Sequence, residues 1–155
     1  FESLRAAGKV RHFGVSNFAP AQFELLASRF PLVTNQIELH PLQRAALTDG
    51  TLDQMQRLRI RPMVWSPLAG GALISGGADA ERRVQAALGR IGERLGASAA
   101  SVAFAWLLRH PSRPLPVAGS RRIEALREAV AALRLTLDAQ DWTEVWQAAA
   151  GHEVA

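Results

Sequence analysis

Cysteine and tyrosine are both missing from this chain of 155 residues, and lysine occurs once, at Lys9. The first absence excludes disulfides and thiolate chemistry and leaves the redox compartment open. The second removes every phenol from the set of available acids. No apolar run approaches the roughly 18 residues of a membrane span. No charged-then-apolar opening segment marks a secretory signal, so the expected location is cytoplasmic. Paired carboxylates, a nucleophile elbow and a P-loop are also missing. His12, His110 and His152 are isolated, without the spacing that metal ligands need.

The basic excess says less than its size suggests. Lys and Arg total 18 and lysine accounts for one, so 17 are arginine; the net charge is +4 and the isoelectric point about 11.1. These arginines are scattered, with no block of five or six like charges and no basic stripe interleaved with aromatics. A nucleic-acid partner is therefore not expected. Arg121-Arg122 is the one local pair that stands out.

The length suits a single domain with a real core. Phe1-Glu2-Ser3-Leu4-Arg5-Ala6-Ala7-Gly8 reads as the end of a helix with Gly8 as its cap, and a chain that opens inside a helix points to a missing beginning. Strands are predicted over Arg11–Val15, Val33–Leu39, Arg61–Trp65 and Leu115–Ala118. Helices are predicted over Pro20–Arg29, Thr51–Leu58, Ala80–Leu95, Ala100–Arg109, Ile123–Leu133 and Ala139–Ala149. Four alternations of strand and helix argue for a parallel sheet with helices outside it. Either a small open sheet or half of an eight-stranded barrel fits that count. Polar residues at the strands' C-terminal ends favour the half barrel, which would leave two open edges and an unfilled interior.

Those strand ends form the candidate site. Ser16 and Asn17 close the first strand, where they either cap the next helix or offer hydrogen bonds to a planar amide. Gln36 lies inside the second strand and needs a partner if it is buried. Trp65 closes the third, as a core residue or as a face for stacking on an aromatic ligand. The loop that follows, with Ser66, Leu68 and Gly70, offers backbone amides to a pyrophosphate. Gly119-Ser120-Arg121-Arg122 leads into a helix N-terminus, where amides, dipole and two guanidiniums suit a phosphate. Glu128 in that helix is placed to accept from an exocyclic amine. His40, beside Pro41, reads as a structural hydrogen-bonder, and Glu38 as a carboxylate with no partner nearby.

Five segments carry a resemblance: Gly-Lys-Val-Arg-His-Phe-Gly-Val-Ser-Asn-Phe, Thr-Asn-Gln-Ile-Glu-Leu-His-Pro, Trp-Ser-Pro-Leu-Ala-Gly-Gly, Ala-Phe-Ala-Trp-Leu-Leu-Arg-His-Pro and Val-Ala-Gly-Ser-Arg-Arg. In order and spacing they resemble the C-terminal half of the aldo-keto reductases, especially bacterial oxidoreductases of that family. The resemblance implies an α/β fold, the last four β/α units of a TIM-type (β/α)8 barrel, with residues 1–155 as one domain and the N-terminal half absent. It implies NADP(H), with NAD(H) possible, and reduction of a small-molecule carbonyl substrate, an aldehyde or ketone. By position, Ser16, Asn17 and Gln36 match the carboxamide-holding residues and Trp65 the aromatic residue, often tyrosine, that stacks on the nicotinamide. Ser66, Leu68 and Gly70 match the pyrophosphate loop. Gly119, Ser120, Arg121 and Arg122 match the stretch on the 2′-phosphate, and Glu128 the adenine contact. Ala125 and Ala129 replace an arginine and an asparagine usual in the family, with Arg121, Arg122 or Arg127 as compensation. The family's Asp, Tyr, Lys and His tetrad lies on its first four strands, so no catalytic residue is expected here. The missing half would sit in cis or on a partner chain; the rival expectation is a stand-alone half barrel that binds nucleotide without turnover.

Overall fold

A computed structural model describes residues 1–154. Four strands, β1 (Val15–Ser16), β2 (Asn35–Glu38), β3 (Met63–Trp65) and β4 (Leu115–Pro116), form one sheet in the order β1-β2-β3-β4. Every neighbouring pair is parallel, so all four C-terminal ends lie at one end of the sheet. Around it run α1 (Glu2–Ala6), α2 (Pro20–Ala27), α3 (Thr51–Leu58), α4 (Ala72–Ser75), α5 (Asp79–Leu95), α6 (Ala99–Leu108), α7 (Ile123–Ala131) and α8 (Ala139–Ala150). This is the C-terminal half of a TIM-type β/α barrel.

The strands are shorter than their apolar runs suggest. Before Val15 the first segment continues extended, with Val33 donating to Phe13 O at 2.9 Å, but regular ladder pairing starts only at Val15. The fourth strand ends at Pro116, two residues earlier than predicted, because the chain leaves the sheet after Val117 donates to Val64 O. The helices follow their expected spans closely; Gly8, Gly96 and Gly151 end them at positive φ, where glycine is unstrained. The short α4, in the Gly-rich stretch after Trp65, had no periodicity to announce it.

Alternation sets the two faces of the sheet. Ile37, Leu39 and Val64 are buried outward in one cluster with residues of α5 and α6, and Asn35 is buried on the same face of β2. Residues Ala100 to Leu107 of α6 are all buried, as a helix apolar all round requires. Phe23, Leu32 and Met55 form a second cluster with Phe13, Val15 and Phe18 under α2 and α3. The inner face carries Ser16, Gln36, Met63 and Leu115 in one row of the ladder, and none of the four is fully buried. Leu115 is 40% exposed and Val117 37%, so the interior of the half barrel is open.

Candidate functional site

The site grows from a glycine. Gly14 precedes β1, and a Cβ there would lie 2.6 Å from Thr34 Cγ2 and 2.9 Å from Thr34 O. Its absence lets the first two strand segments approach closely, so Ser16 falls opposite Gln36. Ser16 Oγ donates to Gln36 O at 3.0 Å, and Asn17 N–H donates to the same oxygen at 2.9 Å. Asn17 itself sits at φ 55°, an uncommon conformation for a residue with a side chain. Neither Ser16 nor Asn17 caps α2. The N-cap of that helix is Ala19, whose N–H is taken by Gln22 Oε1 at 2.9 Å. The capping reading is thereby overturned.

Asn17 reaches instead to β3, where Trp65 Nε1 donates to its Oδ1 at 3.1 Å. Trp65 is half-buried at the strand end rather than a core tryptophan; the core indole is Trp106, stacked on Trp142 at 5.1 Å. Gln36 is half-buried on the inner face, so its amide escapes the full penalty of burial. The buried strand amide is its neighbour Asn35, with no exposed surface. Asn35 Nδ2 donates to Phe18 O at 2.8 Å and its Oδ1 accepts from Phe18 N–H at 3.3 Å. It therefore clamps the loop that carries Asn17. Sequence reasoning passed over this residue, although a polar side chain at an outward, core-facing strand position was the signal.

Beyond Trp65 the chain turns sharply, with Ser66, Ala69, Gly70 and Gly71 all at positive φ. The turn uses the amides of Ala69 and Gly71, which bond Ser66 O and Leu68 O at 2.8 and 2.9 Å. The amides expected to meet a pyrophosphate, at Ser66, Leu68 and Gly70, are not the two that this turn uses. A Cβ at Gly70 would meet nothing within 4 Å, so the backbone there is open to approach. The same holds at Gly119.

After β4, the exposed Gly119-Ser120-Arg121-Arg122 stretch leads into α7 with Arg122 as its N-cap. Ser120 Oγ accepts from Arg122 N–H at 3.1 Å, shaping the turn. Among the described residues neither Arg121 nor Arg122 is in an ion pair, whereas Arg127 lies 3.9 Å from Glu124. Glu128 is half-buried in the second turn, its backbone carbonyl accepting from Ser101 Oγ at 2.9 Å. Ala129 packs against the main core. So Ser16, Asn17, Gln36 and Trp65 are brought together directly. Ser66, Leu68, Gly70 and Gly119 to Arg122 share the same end of the sheet, without hydrogen bonds to that group among the described residues.

Glu38, expected to lack a partner, has one. His40 Nδ1 accepts from Gln43 N–H at 3.1 Å, which puts the ring proton on Nε2, 3.3 Å from Glu38 Oε1. Burial lowers the His40 pKa, against the opposing pull of the Glu38 hydrogen bond and charge; Arg44 adds to the lowering. His40 is thus a structural hydrogen-bonder, as its sequence context suggests. A shallow hollow of about 410 Å³ between Glu2, Arg5, Ala6, Arg29, Phe30 and Pro31 lies by the turn entering β2, at the opposite end of the strands. Among the described residues there is no cluster of three possible metal ligands, and no helix long and apolar enough to cross a membrane.

Comparison with known proteins gives the same picture at the level of sequence and of fold. The model of the aldo/keto reductase family matches residues 1–150. The chain is 50% identical over 157 residues to oxidoreductase YdhF of Escherichia coli, covering 99% of this chain and 52% of that protein. It is 49% identical over 156 residues to a 6-dehydroglucose reductase of Agrobacterium fabrum, with the same coverage of 99% and 52%. The crystal structure of a thermostable aldo-keto reductase, Tm1743, in complex with the inhibitor epalrestat superposes with a TM-score of 0.79 at 29% identity, over 95% of this chain and 51% of that one. The chain spans about half the length of the curated relatives it matches. With its parallel half barrel and nearly its whole length matched, this chain belongs to the aldo/keto reductase family.

Proposed function

We propose that the chain supplies the nucleotide-binding half of an NADP(H)-dependent oxidoreductase that reduces aldehydes or ketones to alcohols. The observation that carries this reading is the meeting of Ser16, Asn17, Gln36 and Trp65 at one end of the sheet. It supplies amide groups for a planar carboxamide beside an aromatic ring that can stack on it. The residues present fit the rest of the nucleotide as well. Open backbone at Gly70 and Gly119 suits the phosphates, and the guanidiniums of Arg121 and Arg122 at the start of α7, in no ion pair among the described residues, suit a 2′-phosphate. Bound there, the nicotinamide would supply a hydride to the carbonyl carbon. The chain's own residues would bind and orient the nucleotide.

With no tyrosine in the chain, the proton donor of the family's tetrad belongs to four further β/α units, in cis or on a partner chain. Open edges at β1 and β4 support that completion. So does the exposed apolar face formed by Ile123, Leu126 and Val130 of α7 with Leu133 just beyond its end. An oxidised sugar is the first substrate to test, because a relative at 49% identity is named a 6-dehydroglucose reductase.

The test is a pair of titrations on the protein expressed from its complete natural gene. Replacing Arg121 and Arg122 together by alanine should weaken NADPH by about 10- to 100-fold, the scale of lost charge-assisted hydrogen bonds. NADH should change by less than about threefold, since it has no 2′-phosphate for those bonds to hold. Equal losses would place the 2′-phosphate elsewhere. Nucleotide binding without carbonyl reduction would favour the stand-alone half barrel.

A further inference from the structure

The hydrogen bond between Trp65 and Asn17 joins strands that are not neighbours, with β2 running between them. An indole N–H only donates, so the Asn17 atom facing it is the carbonyl oxygen. Turning the amide over would set N–H against N–H. The backbone beneath is fixed on both sides: Asn17 N–H is held by Gln36 O, and Phe18 by Asn35. With φ at 55° and Oδ1 engaged, the free end of the side chain is Nδ2. Among the described residues no acceptor in the chain takes a bond from it.

We infer that Trp65 is a positioning residue, whose N–H fixes the Asn17 amide so that Nδ2 presents donors at the strand ends and selects ligands with an acceptor there. The inference rests on the nicotinamide reading above, in which that acceptor is the carboxamide oxygen. It also gives indole a role that the other aromatic side chains do not fill. Phenylalanine offers an apolar face and no donor. A phenol both donates and accepts, and so leaves the orientation of the amide undetermined.

The experiment compares NADPH with its thionicotinamide analogue, in which a weakly accepting sulfur replaces the oxygen. Both are titrated into the protein from its complete natural gene, as wild type, Trp65→Phe and Asn17→Asp. The readout is the ratio of the two dissociation constants, which a general loss of stacking or stability moves little. Wild type should favour NADPH by about five- to tenfold, the size of one neutral hydrogen bond. In Trp65→Phe that preference should fall below about twofold, toward the level left when no oriented donor remains. Asn17→Asp keeps an acceptor for the indole but turns an acceptor toward the ligand; NADPH affinity should drop by more than about tenfold. It serves as the independent test should Trp65→Phe fold poorly. A wild-type ratio in Trp65→Phe, or wild-type affinity in Asn17→Asp, overturns the inference and leaves the nicotinamide reading standing. Failure of the wild type to bind either nucleotide overturns both.

Discussion

Asn35 offers the sharpest stability test, because one buried side chain holds the loop on which Asn17 depends. It has no exposed surface, and it satisfies both the N–H and the C=O of Phe18. Asn35→Ala would leave those two backbone groups without partners in a packed setting. Each unsatisfied group costs about 1–3 kcal/mol, so the expected loss for two is about 2–6 kcal/mol. For a chain of this size about 1 kcal/mol moves the melting midpoint by roughly 2–4 °C, which gives a fall of roughly 4–24 °C. Urea unfolding followed by circular dichroism measures the loss. The same variant should bind NADPH more weakly, since the backbone at Asn17 is no longer held on its C-terminal side. Asn35→Asp retains the acceptor for Phe18 N–H but sets a carboxylate against Phe18 O, so it should not restore stability. A loss under about 0.5 kcal/mol in Asn35→Ala, the range of an ordinary surface substitution, would refute the reasoning.

Two further outcomes follow from the same contacts. Gly14→Ala should destabilise the fold and widen the spacing of the first two strand segments, because the added carbon meets Thr34 backbone at 2.9 Å as well as its methyl group; an unchanged urea midpoint would contradict this. His40 and His110 both have pKa values lowered chiefly by burial, so the unfolded chain binds protons first as pH falls. Stability should therefore be full above the ordinary histidine value of about 6.5 and decline as pH drops below it toward the folded values. Thermal melts between pH 7.5 and 5 should show that decline, and it should be shallower in His40→Asn; equal slopes would remove His40 from the account.

Much of this was legible in the chain itself. Apolar spacing located α3 at its observed ends and came within a few residues for the longer helices, because each buries a stripe whose period is fixed by helix geometry. Strand–helix alternation was enough to give the parallel order, since parallel neighbours need a crossover between them. It also put Ser16, Asn17, Trp65 and Arg121 at the same end. Strand lengths were not legible, because an apolar run records burial and not ladder pairing, so Phe13 belongs to the core without belonging to β1.

The local sequence fixes which residues stand at the strand ends; it does not say which of them touch. Asn17 and Trp65 are 48 positions apart, and only the packing of three strands made one the partner of the other. The same is true of Asn35 with Phe18, where burial on one face of β2 turned an unremarked amide into the anchor of the site. Periodicity acts along the chain, so sequence carries it. Hydrogen bonds between side chains and distant backbone depend on how close the strands lie, and here that was decided by the missing side chain of Gly14 and the register it permits.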